Sequence, residues 1–162
     1  MSLAPADALM FAAFMVIGCA AILFDLRSLR IPNWISAALA ALFLVYALAH
    51  LDIGAAAQRL LLAAVVFAVG FGAWMLGIFG AGDVKLLAAY ALWLGPQVAG
   101  PFALVMLGLS FAISLVMIVL KHLPWPAERA PPRFVRYAKD GTVPFGLAIG
   151  GAGLAVGPLI FS

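Results

Sequence analysis

Apolar stretches of membrane-spanning length recur along the whole of this chain with only short polar breaks between them, and few folds can accommodate that spacing. A bilayer core of about 30 Å takes roughly 20 apolar residues per helix. Charged residues make up 9% of the 162 positions, against about 25% in a soluble domain. Runs between charges, glycines and prolines predict helices near 6–24, 34–50, 59–79, 84–95, 102–120 and 143–161. The expected fold class is therefore an all-α integral membrane protein with six transmembrane helices, forming one polytopic domain over 1–162. The longest polar stretch, 121–142, is too short for a separate soluble domain. A secretory signal would carry Lys or Arg ahead of its apolar core. Here the first charge is Asp7 and the first basic residue Arg27, so 6–24 reads as a retained helix.

Six spans put both termini on one side of the membrane. If that side is non-cytosolic, the inner segments 25–33, 80–85 and 121–142 hold Arg27, Arg30, Lys85, Lys121, Arg129, Arg133, Arg136 and Lys139, leaving only Arg59 outside. This is the asymmetry that the positive-inside rule requires, and the reverse orientation would invert it. The net charge of +3 is then explained by topology, and the scattered basic residues do not suggest a nucleic-acid partner. The fourth span is short: from Asp83 to the Gly95-Pro96 break it offers about 18 Å of helix. Either the bilayer thins there or one helix end begins below the surface, shielded by its neighbours, which would recess Asp83 and Lys85.

Among the acidic residues, Asp7 and Asp52 fall on the outer side and Glu128 and Asp140 in the long inner segment. Only Asp25 and Asp83 stand on the inner side at the ends of apolar spans, where a carboxylate is costly and marks a functional candidate. Two such acids brought together can share a proton, one activating water while the other protonates a carbonyl oxygen. Asp25 closes one helix and Asp83 opens another, so the two would meet opposite poles of their own helix macrodipoles. Before Asp83 stand Gly80-Ala81-Gly82; such glycines permit positive φ and close backbone approach. The plainer reading is a glycine turn with Asp83 as an ordinary N-cap. After Asp25 comes Arg30-Ile31-Pro32-Asn33, in which Pro32 halts the helix and Asn33 can cap the next. Taken alone, that segment also reads as a plain inner turn.

Together the two segments resemble the type IV prepilin peptidase family of membrane aspartyl proteases. Its hallmarks are a GxGD motif followed by a lysine, here Gly80-Ala81-Gly82-Asp83-Val84-Lys85, and an upstream aspartate before an arginine-isoleucine-proline-asparagine turn, here Asp25 and Arg30 to Asn33. Pro144-Phe145-Gly146 is similar to the family's C-terminal proline-aromatic-glycine element, although Pro at a helix start is common. The resemblance implies a multi-pass peptidase of the bacterial inner membrane with its site facing the cytosol and with Asp25 and Asp83 catalytic. Its substrates would be prepilin or pseudopilin precursors with an apolar N-terminal helix. It also implies a cut after a glycine with a glutamate a few residues downstream, for which Lys85 is a partner; the alternative for Lys85 is snorkelling to the interface. Larger members carry an N-terminal region with paired cysteines and N-methyltransferase activity. This chain begins at its first helix and has only Cys19, so it looks like the short Flp-type form, with neither methylation nor a metal or other cofactor expected.

Other constellations carry less. Ser110 lies within the fifth span, whereas His50 and His122 fall at opposite helix ends, a poor arrangement for a nucleophile and its base. The segment 121–142 combines Pro124, Pro126, Pro131 and Pro132 with Trp125, Phe134, Tyr137 and basic residues, which suits an interfacial loop on anionic membrane lipid. The remaining aromatics read as core or lipid contacts. A small proton-coupled transporter, or an assembly subunit of a secretion machine, would use the same acid pair differently.

Overall fold

The computed structural model describes residues 4–125 and 132–161, all helix and connecting turn. Pro126, Glu128, Arg129 and Pro131 lie outside the described residues. Seven helices follow in order: α1 Pro5–Ser28, α2 Asn33–His50, α3 Ile53–Met75, α4 Ala81–Ala91, α5 Pro96–His122, α6 Arg133–Lys139 and α7 Phe145–Ile160. Local chemistry explains several boundaries. Pro5 and Pro96 open α1 and α5, where a missing N–H costs nothing. Asp52 caps α3 by accepting the Ala55 amide at 2.7 Å. Leu29, at φ 51°, closes α1 in the left-handed region and donates its N–H to the Asp25 carbonyl at 2.9 Å. A leucine there is strained, and the strain lies one turn beyond Asp25.

Four helices, α1, α2, α3 and α5, are long and apolar enough to cross a membrane, and the protein is a multi-pass membrane protein. The other two expected spans are shorter. α7 is apolar but has 16 residues, and α4 has 11, about 16 Å of helix. α4 packs against α2, α3 and α7, while α7 packs against α1, α4 and α5. In a membrane the polar backbone of a short helix must be enclosed by protein, and here the long helices supply that enclosure.

Seven described basic residues, Arg27, Arg30, Lys85, Lys121, Arg133, Arg136 and Lys139, belong to helix ends or turns at the Asp25 end of the bundle. Arg59 alone lies toward the opposite end, over the Tyr46 ring at 5.9 Å. The aromatic core is built around Trp93, which is fully buried, packs on Phe14, Phe43, Tyr46 and Phe161, and donates its indole N–H to the Leu39 carbonyl at 3.2 Å. It is therefore structural, as the sequence pattern suggested for the aromatics.

Glycines on one face of α7 allow α1 and α4 to approach its backbone. Gly150 faces Ile22, Gly153 faces the ring of Tyr90, and Gly157 faces Phe14 and Met15. A Cβ at Gly153 would enter the Tyr90 ring, whereas one at Gly108 on α5 would meet open space. Gly153→Ala is accordingly expected to lose about 1–3 kcal/mol to overpacking, read as a lowered midpoint of thermal unfolding in detergent. Gly108→Ala should leave the midpoint unchanged or raise it; equal effects of the two changes would refute the close-packed α7 face.

Candidate active site

Asp25 occupies the last turn of α1 and is only 3% exposed, the sole buried charged residue among those described. Its burial is compensated by α7. The backbone N–H of Leu147 donates to Asp25 Oδ2 at 2.9 Å, and the Gly146 amide also faces the carboxylate. These are first-turn amides, which lack partners within a helix. The N-cap of α7 is Pro144, whose side chain has no acceptor, so a carboxylate from another helix acts as the cap. Close approach requires Gly146, because a Cβ there would stand 2.7 Å from Asp25 Cγ and 2.6 Å from Ile31 Cδ1. The Pro144-Phe145-Gly146 element thus meets Asp25 directly, and Phe145 packs its ring on Phe79 at 5.2 Å.

Asp83 stands in the first turn of α4, near enough for the Asp25 charge to act on it. Its carboxylate turns back to the Gly80 amide at the helix N-cap, the third-residue half of a capping box. Gly82 lies against the backbone and Cβ of Ile31, the latter 3.3 Å from where a Cβ would be. Ile31, buried, therefore touches Gly82 on α4 and Gly146 on α7, linking the surroundings of the two acids. A cavity of about 340 Å³, lined by Leu29, Arg30, Ile31 and Gly80 to Asp83, opens beside Asp83.

Several expectations change. Asp83 lies in the first turn of α4, which begins at Ala81, two residues ahead of the expected start at Asp83. Gly80 has φ −73° and Gly82 is helical, so positive φ is not their contribution; in this turn it falls to Gly77, at φ 74°. Close approach is what Gly82 provides, against Ile31. Pro32, not Asn33, is the N-cap of α2, and the Asn33 side chain accepts from Lys85 Nζ at 2.9 Å instead of capping. Each acid stands at the expected pole of its own helix, but the contrast does not separate them, since Asp25 also meets the N-terminal pole of α7 just as Asp83 meets that of α4.

The segment after α5 has a definite role too. α6 lays Arg133 and Tyr137 over the end of α1, where Arg133 Nη1 and the Tyr137 hydroxyl both donate to the Arg27 carbonyl, at 3.2 and 3.3 Å. That carbonyl is unpartnered within α1, so α6 ties down the helix end that bears Asp25. A backbone amide and a carbonyl leave no mark in residue type; only the proximity of Tyr137 and Arg133 to a proline-rich break hinted at this contact. His50 is engaged elsewhere, 3.1 Å from Asp7 and stacked on Tyr46, while His122 contacts the Ile118 carbonyl, so neither serves Ser110. Among the described residues, no three of His, Cys, Asp and Glu gather in a metal-binding group.

A family model described as the type IV leader peptidase family matches residues 10–120, more than half of the chain. The chain belongs to the type IV leader peptidase family. The match takes in both aspartates and ends before α6 and α7. No curated protein and no solved structure matches the chain. Membership identifies a protease whose family acts on prepilin-type substrates.

For a leader peptidase with this geometry, Gly146→Ala should displace the Asp25 carboxyl. A misplacement of about 1 Å can cost on the order of a hundredfold in rate. A Cβ at Gly80 meets only the far end of the Asp83 side chain, 2.9 Å away. Gly80→Ala is therefore expected to lose less activity than Gly146→Ala in a precursor-cleavage assay, and the reverse order would count against Gly146 as the seat of Asp25.

Proposed function

We propose that this protein is an aspartyl endopeptidase that cleaves short leaders from Flp-type and related type IV prepilins and pseudopilins, with Asp25 and Asp83 as its catalytic pair. The observation that carries the reading is the packing of α7 against both α1 and α4, with a buried Asp25 whose charge reaches an Asp83 that lines a cavity. In the proposed reaction the carboxylate of the pair takes a proton from water as the water oxygen attacks the scissile carbonyl carbon. The carboxylic acid gives its proton to the carbonyl oxygen. The tetrahedral diol then collapses, the C–N bond breaks, and the amine leaves with a proton. The roles belong to the coupled pair and not to either residue alone.

The basic residues gathered at the Asp25 end support a bacterial inner-membrane topology with this end toward the cytosol and both termini opposite. In that topology the six apolar helices, α6 aside, form one polytopic domain, with α4 and α7 enclosed by the longer four. A pilin precursor would keep its apolar helix in the bilayer and present its leader junction at the depth of the pair. The exposed basic residues of α6 and the exposed Phe134 suit contact with anionic lipid headgroups. Gly80, Gly82, Arg30, Pro32, Asn33, Pro144, Phe145 and Gly146 are assigned supporting roles in shaping the site.

Asp25→Asn and Asp83→Asn should each abolish cleavage of a co-expressed precursor while membrane insertion persists, and cleavage surviving in either would remove the dyad. Asn keeps an acceptor for the Leu147 amide. Asp25→Ala should therefore lose about 1 kcal/mol of stability in addition to activity, a difference readable by thermal unfolding of the two variants.

Lys85 is assigned to the glutamate downstream of the cut. The loss caused by Lys85→Ala should shrink on a precursor whose glutamate is already replaced by glutamine. Equal losses on both precursors would dissolve the pairing.

A further inference from the structure

α2 and α3 are consecutive and joined by the two residues 51–52, yet both pack on α4 and scarcely on each other. They diverge toward the Asp25 end, and the space between them, floored by α4, is a cleft of about 430 Å³. Its walls are small or apolar. Ala37 and Ala40 line it from α2, Ala63 and Phe67 from α3, and Ala88 from α4. Its polar groups, Lys85, Asn33 and Ser36, gather toward one end, where Lys85 donates to Asn33. Lys85 and Leu92 lie seven residues apart on one face of α4, as do Asn33 and Ala40 on α2, so the cleft runs about 10 Å into the bundle from its polar end.

The polar end adjoins the candidate active site. The turn 29–33 supplies Leu29 to Ile31 to the Asp83 cavity and Asn33 to the cleft. The first turns of α4 likewise supply Asp83 to one and Lys85 to the other. Lys85 pairs with no carboxylate among the described residues. We infer that this cleft seats the apolar helix of the precursor, entering sideways from the bilayer, with Lys85 at its mouth. This rests on the proposed function and identifies where the substrate is held.

Three features select that occupant. Within a bilayer, apolar burial gives little drive to helix association, so helices pair where small residues let backbones approach, and this cleft presents alanines on all three walls. Its lateral opening suits a membrane-embedded segment and not a ligand arriving from water. Its single cation stands at the end nearest the acids, where an anionic side chain just beyond the helix start would set the register. An extended chain covers about 3.3 Å per residue. A few residues would then carry the substrate backbone from Lys85 across the first turn of α4 to the Asp83 cavity.

The test compares two substrates, a full precursor with its apolar helix and a short soluble peptide spanning only the leader junction. Ala40→Trp, which fills the cleft, should raise KM for the precursor at least about tenfold more than for the peptide, with kcat little changed. Leu104→Trp, which adds bulk at an exposed position of α5 outside the cleft, should behave as the parent. Equal effects on both substrates, or none on either, would overturn the proposal. A photo-crosslinking residue at exposed Ala37, placed in the Asp83→Asn background, gives a readout that needs neither turnover nor a bulky change. Crosslinks to the precursor helix support the seat; crosslinks solely to lipid or to a second copy of the chain reject it. Cleavage surviving in Asp25→Asn or Asp83→Asn would refute the aspartyl mechanism without touching the crosslinking result, so the two readings fail separately.

Discussion

The contact between the Leu147 amide and the Asp25 carboxylate joins two requirements that neither helix meets alone. A carboxylate buried among apolar helices needs hydrogen-bond donors, and a helix that starts at a proline needs an acceptor for its first amides. Each supplies the other. The bond spans the first and last helices of the bundle and brings Gly146 and Ile31 into register. Ile31 in turn presses on Gly82, so the placement of α4, and with it Asp83, follows from the same junction. The candidate site is thus less a feature on a finished scaffold than a part of the packing that holds three helices together.

Helix length organises the remainder. α4 and α7 are too short to meet lipid along a full bilayer thickness, and they are the helices richest in buried residues. The four long helices form the outer layer and expose many large apolar side chains, which a membrane covers. The candidate site follows from this layering, because the first turn of α4 sets a half-buried carboxylate beside protein and a small cavity. The segment between α5 and α7 adds a clamp on α1 through Arg133 and Tyr137 of α6, at the end where the acid is carried.

Much of this was legible in the residues. The apolar runs gave six of the seven helices, although α3 and α5 begin six residues earlier than expected and α6 was not foreseen; the short fourth segment was visible from the Gly95-Pro96 break, and the two aspartates stood out by their place at span ends. Backbone chemistry was not legible. Nothing in the identity of Leu147 marks its amide as the partner of Asp25, and glycines chosen for close approach look like glycines chosen for positive φ, so the positive φ allowed for Gly80 and Gly82 falls at Gly77 instead. Asn33 shows the same limit. An asparagine near a helix start is a good cap in isolation, but one position of register hands that place to Pro32 and frees the side chain for Lys85. The helix-pole contrast did not separate the acids for a related reason, since it considered each acid only against its own helix.

The glycine face of α7 bears on the order in which the protein becomes an enzyme. Its contact surface is largely backbone, at Gly146, Gly150, Gly153 and Gly157, so its docking needs α1 and α4 already in place to provide the side chains that fill those notches. Synthesis delivers α7 after both. Until it arrives, the Asp25 carboxyl lacks the amides that hold it, and a precursor already present in the membrane meets an incomplete site. With Asp25 catalytic, as proposed, proteolytic competence is deferred to α7, and a half-built chain stays inert in the membrane.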